Sequence, residues 1–550
     1  LGCGIRLARR AIDPGAAFAY NPIATGHSRL RCAAPLCRQE KMTVNAPDKF
    51  DLCVIGCGPG GFAAAMSALD LGRHVCIVEA GEIGGTGVMW GALASKTMWE
   101  LAKDFAIAAK VDRGYRAGDL RIDYPALRNT VLQAVKEKQY QLLSQIETFT
   151  PGRWPGAGSL TLKRGRGSLG PAGRFAVAYP DGRREELRAD FFLIATGSRP
   201  RDFPNIRTDQ TRIINSDGVL NLKAFPRRLM IIGAGITGCE YATIFSNFGQ
   251  TKLYLVDHQE RVIPFEDTDV SAFVNASLEK RGVEIFHAAM LRRIRTEPDH
   301  LEVTLDFSDG HAEIVEVDTV LISIGRTPNL AGLNLEQLGI RPNTRGFLET
   351  DAYCRVKDQI YAAGDVTPHP ALVNMAEMEA RTAVRNMFES PRQRFDYHNM
   401  STIMFFDPAV AAVGLNEKAC QKNRIPYRVA YYAISLLSRA MAMRAPEGFV
   451  KIIVSDDDAR KILGMRAAGP QASSTIMSIA LLMDQGKGLK DVVNAFYPHP
   501  TMSEGIQECL RLLQGTSTFK SRAFPRQINI RAWHPERGYF SGPAVDPYSP

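Results

Sequence analysis

A chain of 550 residues is too long for a single hydrophobic core, and 45% apolar with 23% charged residues describes a globular protein, which excludes a disordered or collagen-like one. No apolar run reaches the roughly 18 residues that a membrane span needs, so no spanning segment is expected. The net charge of +9 hints at nucleic acid, but residues 1–41 carry +5 and residues 515–550 carry +3, leaving about +1 for the residues between them and taking most of the support from that reading.

In chain order, residues 1–46 are a leader rich in Arg, Ala, Gly and Pro, without a sustained apolar period, and are expected to be disordered. The chain opens on Leu1. The leader is therefore either sequence upstream of a start at Met42 or an Arg-rich, acid-poor organellar presequence. The expected location is cytoplasmic, or the mitochondrial matrix if the presequence is genuine. The ten cysteines form no zinc-type pairs, which argues against a metal site or a disulfide scaffold and fits a reduced compartment.

Phe50–Ile55 is a strand-like apolar run, and Gly56-Cys57-Gly58-Pro59-Gly60-Gly61 follows at once. A helix is expected over Phe62–Leu71, then a second strand His74–Val78 ending at Glu79. In such a unit Gly56 permits the turn, Gly58 admits a pyrophosphate to the backbone, and Gly61 lets helix and strand pack closely. Glu79 is placed to bind ribose hydroxyls. The unit recurs. Arg228–Ile232 is followed by Gly233-Ala234-Gly235-Ile236-Thr237-Gly238, a helix over Cys239–Phe248, and a strand Lys252–Val256 ending at Asp257. An acid there favours NAD over NADP, and Arg261 softens that preference. Two loops imply two dinucleotides, as hydride transfer between nicotinamide and flavin requires.

Further motifs follow in order: Ala195-Thr196-Gly197 after the strand Phe191–Ile194, then Gly325-Arg326-Thr327-Pro328-Asn329, then Tyr361-Ala362-Ala363-Gly364-Asp365. With them the chain resembles the pyridine nucleotide-disulfide oxidoreductase family, on the dihydrolipoamide dehydrogenase and soluble transhydrogenase side, from about Lys49 to Leu513. The resemblance implies an α/β fold of two Rossmann-like dinucleotide-binding domains, for FAD and NAD(P), plus an α+β C-terminal dimerisation domain. The expected boundaries are 47–200 and 328–396 for the FAD-binding parts, 201–327 for NAD(P), 397–514 for dimerisation, and 515–550 for a basic tail. That tail holds five prolines and reads as disordered or as a strap along the surface.

The same resemblance implies a homodimer and assigns roles. Gly56, Gly58, Gly61, Glu79, Thr86, Lys96, Ala195, Thr196, Gly197 and Asp365 would hold FAD. Gly233, Gly235, Gly238, Asp257 and Gly325 would hold NAD. Lys96 and Glu240 would form a charge pair beside the reacting rings. In Tyr497-Pro498-His499-Pro500-Thr501-Met502-Ser503-Glu504, His499 would be the acid–base group reaching the partner's site and Glu504 would orient it.

One segment departs from the family. Disulfide-using members carry Cys-x4-Cys after the first unit. Here Gly84-Gly85-Thr86-Gly87-Val88-Met89-Trp90-Gly91-Ala92-Leu93-Ala94-Ser95-Lys96 aligns without a gap, putting Gly87 and Ala92 at the two thiol positions. Neither can supply sulfur. The expected function is an FAD-dependent NAD(P)H oxidoreductase that passes electrons directly to a small non-disulfide acceptor such as a quinone. The alternatives are soluble NAD(P) transhydrogenation, which gives His499 little to do; dihydrolipoyl dehydrogenase activity, which the missing thiols oppose; and a non-catalytic FAD-binding scaffold. The loss of both side chains is also expected to open space over the flavin face opposite the nicotinamide, lined or covered by Trp90.

Overall fold

The computed structural model describes residues 49–541 and 545–546; the expectations for the leader lie outside them. The first nucleotide unit is β1 (Lys49–Ile55), α1 (Pro59–Asp70) and β2 (His74–Glu79). Leu52, Cys53 and Val54 are fully buried, as in a parallel strand covered on both faces, which is why the run is continuously apolar. Each such aliphatic side chain contributes about 1.5–3 kcal/mol by leaving water. Pro59 starts α1, where its missing N–H costs nothing. Next come α2 (Gly85–Met89), α3 (Ala92–Ala108), α4 (Tyr124–Thr148), β3 (Ser159–Arg164), β4 (Arg166–Leu169), β5 (Arg174–Ala178) and β6 (Arg184–Ile194).

The middle of the chain holds β7 (Ser198–Pro200), β8 (Ile213–Asn215), β9 (Arg228–Ile232), α5 (Ile236–Phe248), β10 (Lys252–Val256), α6 (Thr268–Lys280) and β11 (Glu284–Phe286). It continues with β12 (Ala289–Thr296), β13 (Leu301–Phe307), β14 (Ala312–Val317), β15 (Thr319–Ile322) and β16 (Arg326–Pro328). The return segment supplies β17 (Arg355–Lys357), β18 (Ile360–Ala362) and α7 (Val373–Phe388).

Two open sheets result. The first runs β17-β18-β6-β1-β2-β3, with β5 pairing β6 and β4 pairing β5. The second, β11-β10-β9-β15-β8, is parallel throughout. In both, the glycine loop leaves the carboxyl end of a central strand (β1, β9), where open α/β sheets bind ligands. A separate antiparallel sheet, β12-β13-β14, flanks the second, and β7 pairs β16 where the chain passes between the halves.

The C-terminal region contains β19 (Ser401–Met404), β20 (Val410–Gly414), α8 (Glu417–Lys422), β21 (Tyr427–Ala433), α9 (Ser438–Ala442), β22 (Phe449–Ser455), β23 (Ile462–Ala468), α10 (Ala472–Asp484), α11 (Leu489–Val492) and α12 (Glu504–Gln514). The chain then adds β24 (Ile528–His534) and β25 (Gly538–Phe540). All seven strands form one sheet, β19-β20-β23-β22-β21-β24-β25. For residues 528–540 this corrects the reading of a disordered or surface tail. Tyr427–Tyr432 pairs with Ile528–Trp533. Ile528, Ile530 and Ala532 are buried while Asn529 is exposed. That alternation is a strand signal which the flanking prolines and charges obscure.

Candidate active site

The two glycine loops have the same geometry. A Cβ added to Gly56 would lie 2.3 Å from the Ala195 carbonyl oxygen, and one on Gly61 would lie 1.9 Å from that of Gly56. In the second loop, a Cβ on Gly233 would meet the Ser323 oxygen at 2.6 Å, and one on Gly238 the Gly233 oxygen at 1.9 Å. The middle glycines differ from these. Nothing lies within 4 Å of a Cβ built on Gly58 or Gly235, so the backbone stays open at the helix N-terminus where a pyrophosphate would seat.

The acids are placed alike. Glu79 accepts from the amides of Cys57 (2.6 Å) and Gly81 (2.7 Å). Buried Asp257 accepts from those of Ala234 (2.6 Å) and Gln259 (2.8 Å). Arg261 donates from Nη1 to Thr268 Oγ1 at 2.8 Å.

Lys96 on α3 meets Glu240 on α5, with Nζ 2.9 Å from Oε2. α5 opens from the second glycine loop, and α3 follows α2, whose Gly85 lies against Gly58 of the first, so the pair bridges the two nucleotide-binding halves. The other Glu240 oxygen accepts from the Phe405 amide at 3.0 Å, and the Phe405 ring lies 5.0 Å from the Lys96 ammonium. Trp99 on α3 donates to the Phe406 carbonyl at 3.1 Å, anchoring this Phe-Phe turn.

Around Asp365 a network forms that the sequence did not single out. Ser198 donates to Asp365 at 2.6 Å, and Arg326 donates to Ser198 Oγ at 2.7 Å and to Thr86 Oγ1 at 3.2 Å. Thr196 donates to the Asn329 carbonyl (2.7 Å), while the Asn329 side chain returns a bond to the Thr196 carbonyl (3.2 Å). Gly325, at φ +101°, accepts from the Arg201 amide as the chain re-enters. Arg326 stood inside the quoted Gly-Arg-Thr-Pro-Asn motif; its charge was the available signal. Glu379 on α7 was also missed. It is 1% exposed and accepts from the Gly364 amide (2.7 Å) and the Tyr397 hydroxyl (2.9 Å), holding the turn that presents Asp365. Burial pushes its carboxyl up to about 7, against those two hydrogen bonds.

His499 Nδ1 lies 2.7 Å from Glu504 Oε1, and Glu504 Oε2 accepts from the Thr501 amide at 2.8 Å. The imidazole is exposed, on the loop before α12. Among the described residues no hydrogen bond or ion pair joins it to Lys96 or Glu240 within the chain.

At Gly87 little room is left beside the backbone. A Cβ there would sit 2.5 Å from Pro59 Cγ and 3.4 Å from Val373 Cγ2, so the first ring of α1 and the first side chain of α7 fill that space. Trp90 is half-buried at the end of α2. The seven described cysteines are all buried, and none forms a disulfide. Burial pushes the thiols of Cys57 and Cys420 up to about 12 and raises those of Cys53, Cys239, Cys354 and Cys509 as well.

The pattern of the pyridine nucleotide-disulphide oxidoreductase family matches residues 50–380, and that of its dimerisation domain matches residues 400–510. The chain belongs to this family. It is 30% identical over 465 residues to dihydrolipoyl dehydrogenase of Geobacillus stearothermophilus, covering 84% of this chain and 96% of the relative. It is also 30% identical over 466 residues to leghemoglobin reductase of Glycine max, covering 84% and 87%. Among solved structures, LpdA from Mycobacterium tuberculosis superposes with a TM-score of 0.76 at 26% identity, covering 84% of this chain and 99% of that one. The protein is thus an FAD- and NAD(P)-using oxidoreductase carrying the family's dimerisation domain. No helix among the described residues is long and apolar enough to cross a membrane.

Proposed function

We propose that this family member takes a hydride from NADH and delivers the electrons directly to a small non-disulfide acceptor of the quinone class. One observation carries the reading: the two positions of the family's Cys-x4-Cys pair are Gly87 and Ala92. A thiol at 87 would also require Pro59 to move, and every described cysteine lies buried elsewhere. A disulfide relay needs a thiolate within bonding reach of a second sulfur.

Bound FAD would supply the hydride acceptor and, once reduced, the electron donor. The chain's own residues do the rest. The Gly56–Gly61 loop with Glu79 would hold the FAD pyrophosphate and ribose, and the Gly233–Gly238 loop with Asp257 the NAD equivalents. Ala195, Thr196 and Gly197 close the FAD side, and Ser198, Arg326 and Glu379 orient Asp365 and its turn. Glu240 fixes the Lys96 ammonium at the junction of the two halves, where negative charge gathers during transfer. Quinone reduction consumes protons. His499, with Glu504 holding its Nδ1, is suited to give one from Nε2 into the partner subunit's site.

The test is anaerobic titration of the FAD-loaded protein with NADH. Uptake of two electrons per FAD, followed by reoxidation with a quinone and not with lipoamide, is expected. Uptake of four would reveal a working disulfide and refute the reading, and no flavin bleaching would mean a non-catalytic scaffold.

A further inference from the structure

The strand β24 lies beyond residue 510, where the matched dimerisation domain ends, and it brings one partly buried charged side chain against a buried ion cluster. Arg531 donates to both oxygens of Glu417 and, through Nη2, to Asp269 at 3.1 Å. Asp269 stands in the first turn of α6, in the NAD-binding half. Asp267, Asp269 and Glu417 bring carboxylate oxygens within 4.8 Å of one another. The fully buried Lys451 ammonium sits among them, at 2.7, 2.6 and 3.1 Å. One ammonium cannot neutralise three carboxylates, and Arg531 supplies the second positive charge.

The segment ahead of α6 is held from both sides. On one side, Asn416 donates to the Phe265 carbonyl (3.0 Å), Lys418 to the Pro264 carbonyl (2.6 Å), and Arg466 pairs with Glu266 (3.0 Å). On the other, the Ile263 amide donates to the Ala234 carbonyl, inside the second glycine loop, at 2.8 Å. Ile263 is fully buried at φ +40°, a conformation costly for a β-branched residue that persists only where its surroundings over-determine it. A contiguous path thus runs from Arg531 through Asp269 and the 263–267 segment to the backbone of the glycine loop.

We propose that the C-terminal strand straps the NAD site. Arg531 is a positioning residue that holds the 261–269 segment, and through Ile263 the glycine loop, in the shape that accepts the dinucleotide. This rests on the reading that the Gly233–Gly238 loop binds NAD.

The test is equilibrium titration of NAD+ into the oxidised, FAD-loaded full-length protein, which needs no electron acceptor. Arg531→Met should weaken binding about five- to tenfold with FAD content unchanged, in the range of couplings carried by packed networks. Arg531→Lys should restore most of the affinity, and Arg537→Met, on the exposed end of the same hairpin, should leave it unchanged. Asp257→Ala tests the loop assignment separately. If it leaves NAD+ binding intact, the site reading fails and the strap with it. If Asp257→Ala weakens binding and Arg531→Met does not, the strap alone is overturned. Should Arg531→Met fail to fold, Asp269→Asn takes its place, and an unchanged affinity in that variant overturns the proposal.

Discussion

Glu379 offers a test of how the flavin side of the site is built. Its carboxyl is nearly inaccessible, and burial lifts it from the ordinary 4.5 to about 7. A rise of that size is worth about 3 kcal/mol between the two protonation states. The folded value lies above the unfolded one, so the native protein holds this proton more tightly. The resulting stabilisation is complete below about pH 4.5 and is lost as the pH rises through about 7. Glu379→Gln keeps an oxygen for the Gly364 amide and removes the titration, at the cost of the acceptor for Tyr397. For a cooperative unit of a few hundred residues, 3 kcal/mol moves the unfolding midpoint by about 4 °C. The midpoint of the wild type should therefore fall, relative to Glu379→Gln, by about 4 °C between about pH 5 and about pH 8. The assay is thermal unfolding followed by circular dichroism at fixed protein and FAD concentrations, since bound ligand shifts the midpoint. Parallel pH profiles for the two proteins would refute the reasoning, because they would mean that Glu379 is ionised at no cost in the fold.

Three further outcomes are expected. Lys96→Met leaves the Glu240 carboxylate buried without its cation; reduction of the flavin by NADH, followed by stopped flow, should slow about a hundredfold with FAD retained. His499→Gln should leave that half-reaction unchanged and slow reoxidation by a quinone about a hundredfold, since only the second step draws a proton. Restoring both thiols, Gly87→Cys with Ala92→Cys, should cost about 1–3 kcal/mol of stability, read as a lower midpoint, because the new side chain at 87 overlaps Pro59. NADH uptake by the double variant should stay at two electrons per FAD while Pro59 keeps its place.

Much of the site was legible because its elements are local. A glycine loop between a strand and a helix is written in about thirty consecutive residues, and both loops fold as their spacing implies, with their acids at the ends of β2 and β10. The Lys96–Glu240 pair spans 144 residues and came from family resemblance; periodicity alone would leave each as a solvated helix charge. Glu379 escaped notice because nothing near it in sequence marks it, and Arg326, though inside a motif, finds its partner Thr86 across 240 positions. The close packing around Gly87 was not legible for a related reason. Deleting a side chain opens a cavity only if the neighbours do not move in, and here two neighbouring helices close on it.

The sequence by itself determined that two dinucleotides meet on this chain, since loop glycines and strand-end acids act through the backbone immediately around them. Its resemblance to the family also implies that Gly87 and Ala92 stand at the two thiol positions. The tertiary structure alone decided what surrounds those positions, and it made residues 528–534 and 538–540 the sixth and seventh strands of the C-terminal sheet. It also joined Arg531 to Asp269 across 262 positions. Buried charges find their counter-ions through packing in space, and no local pattern in the chain records which distant helix will bring them together.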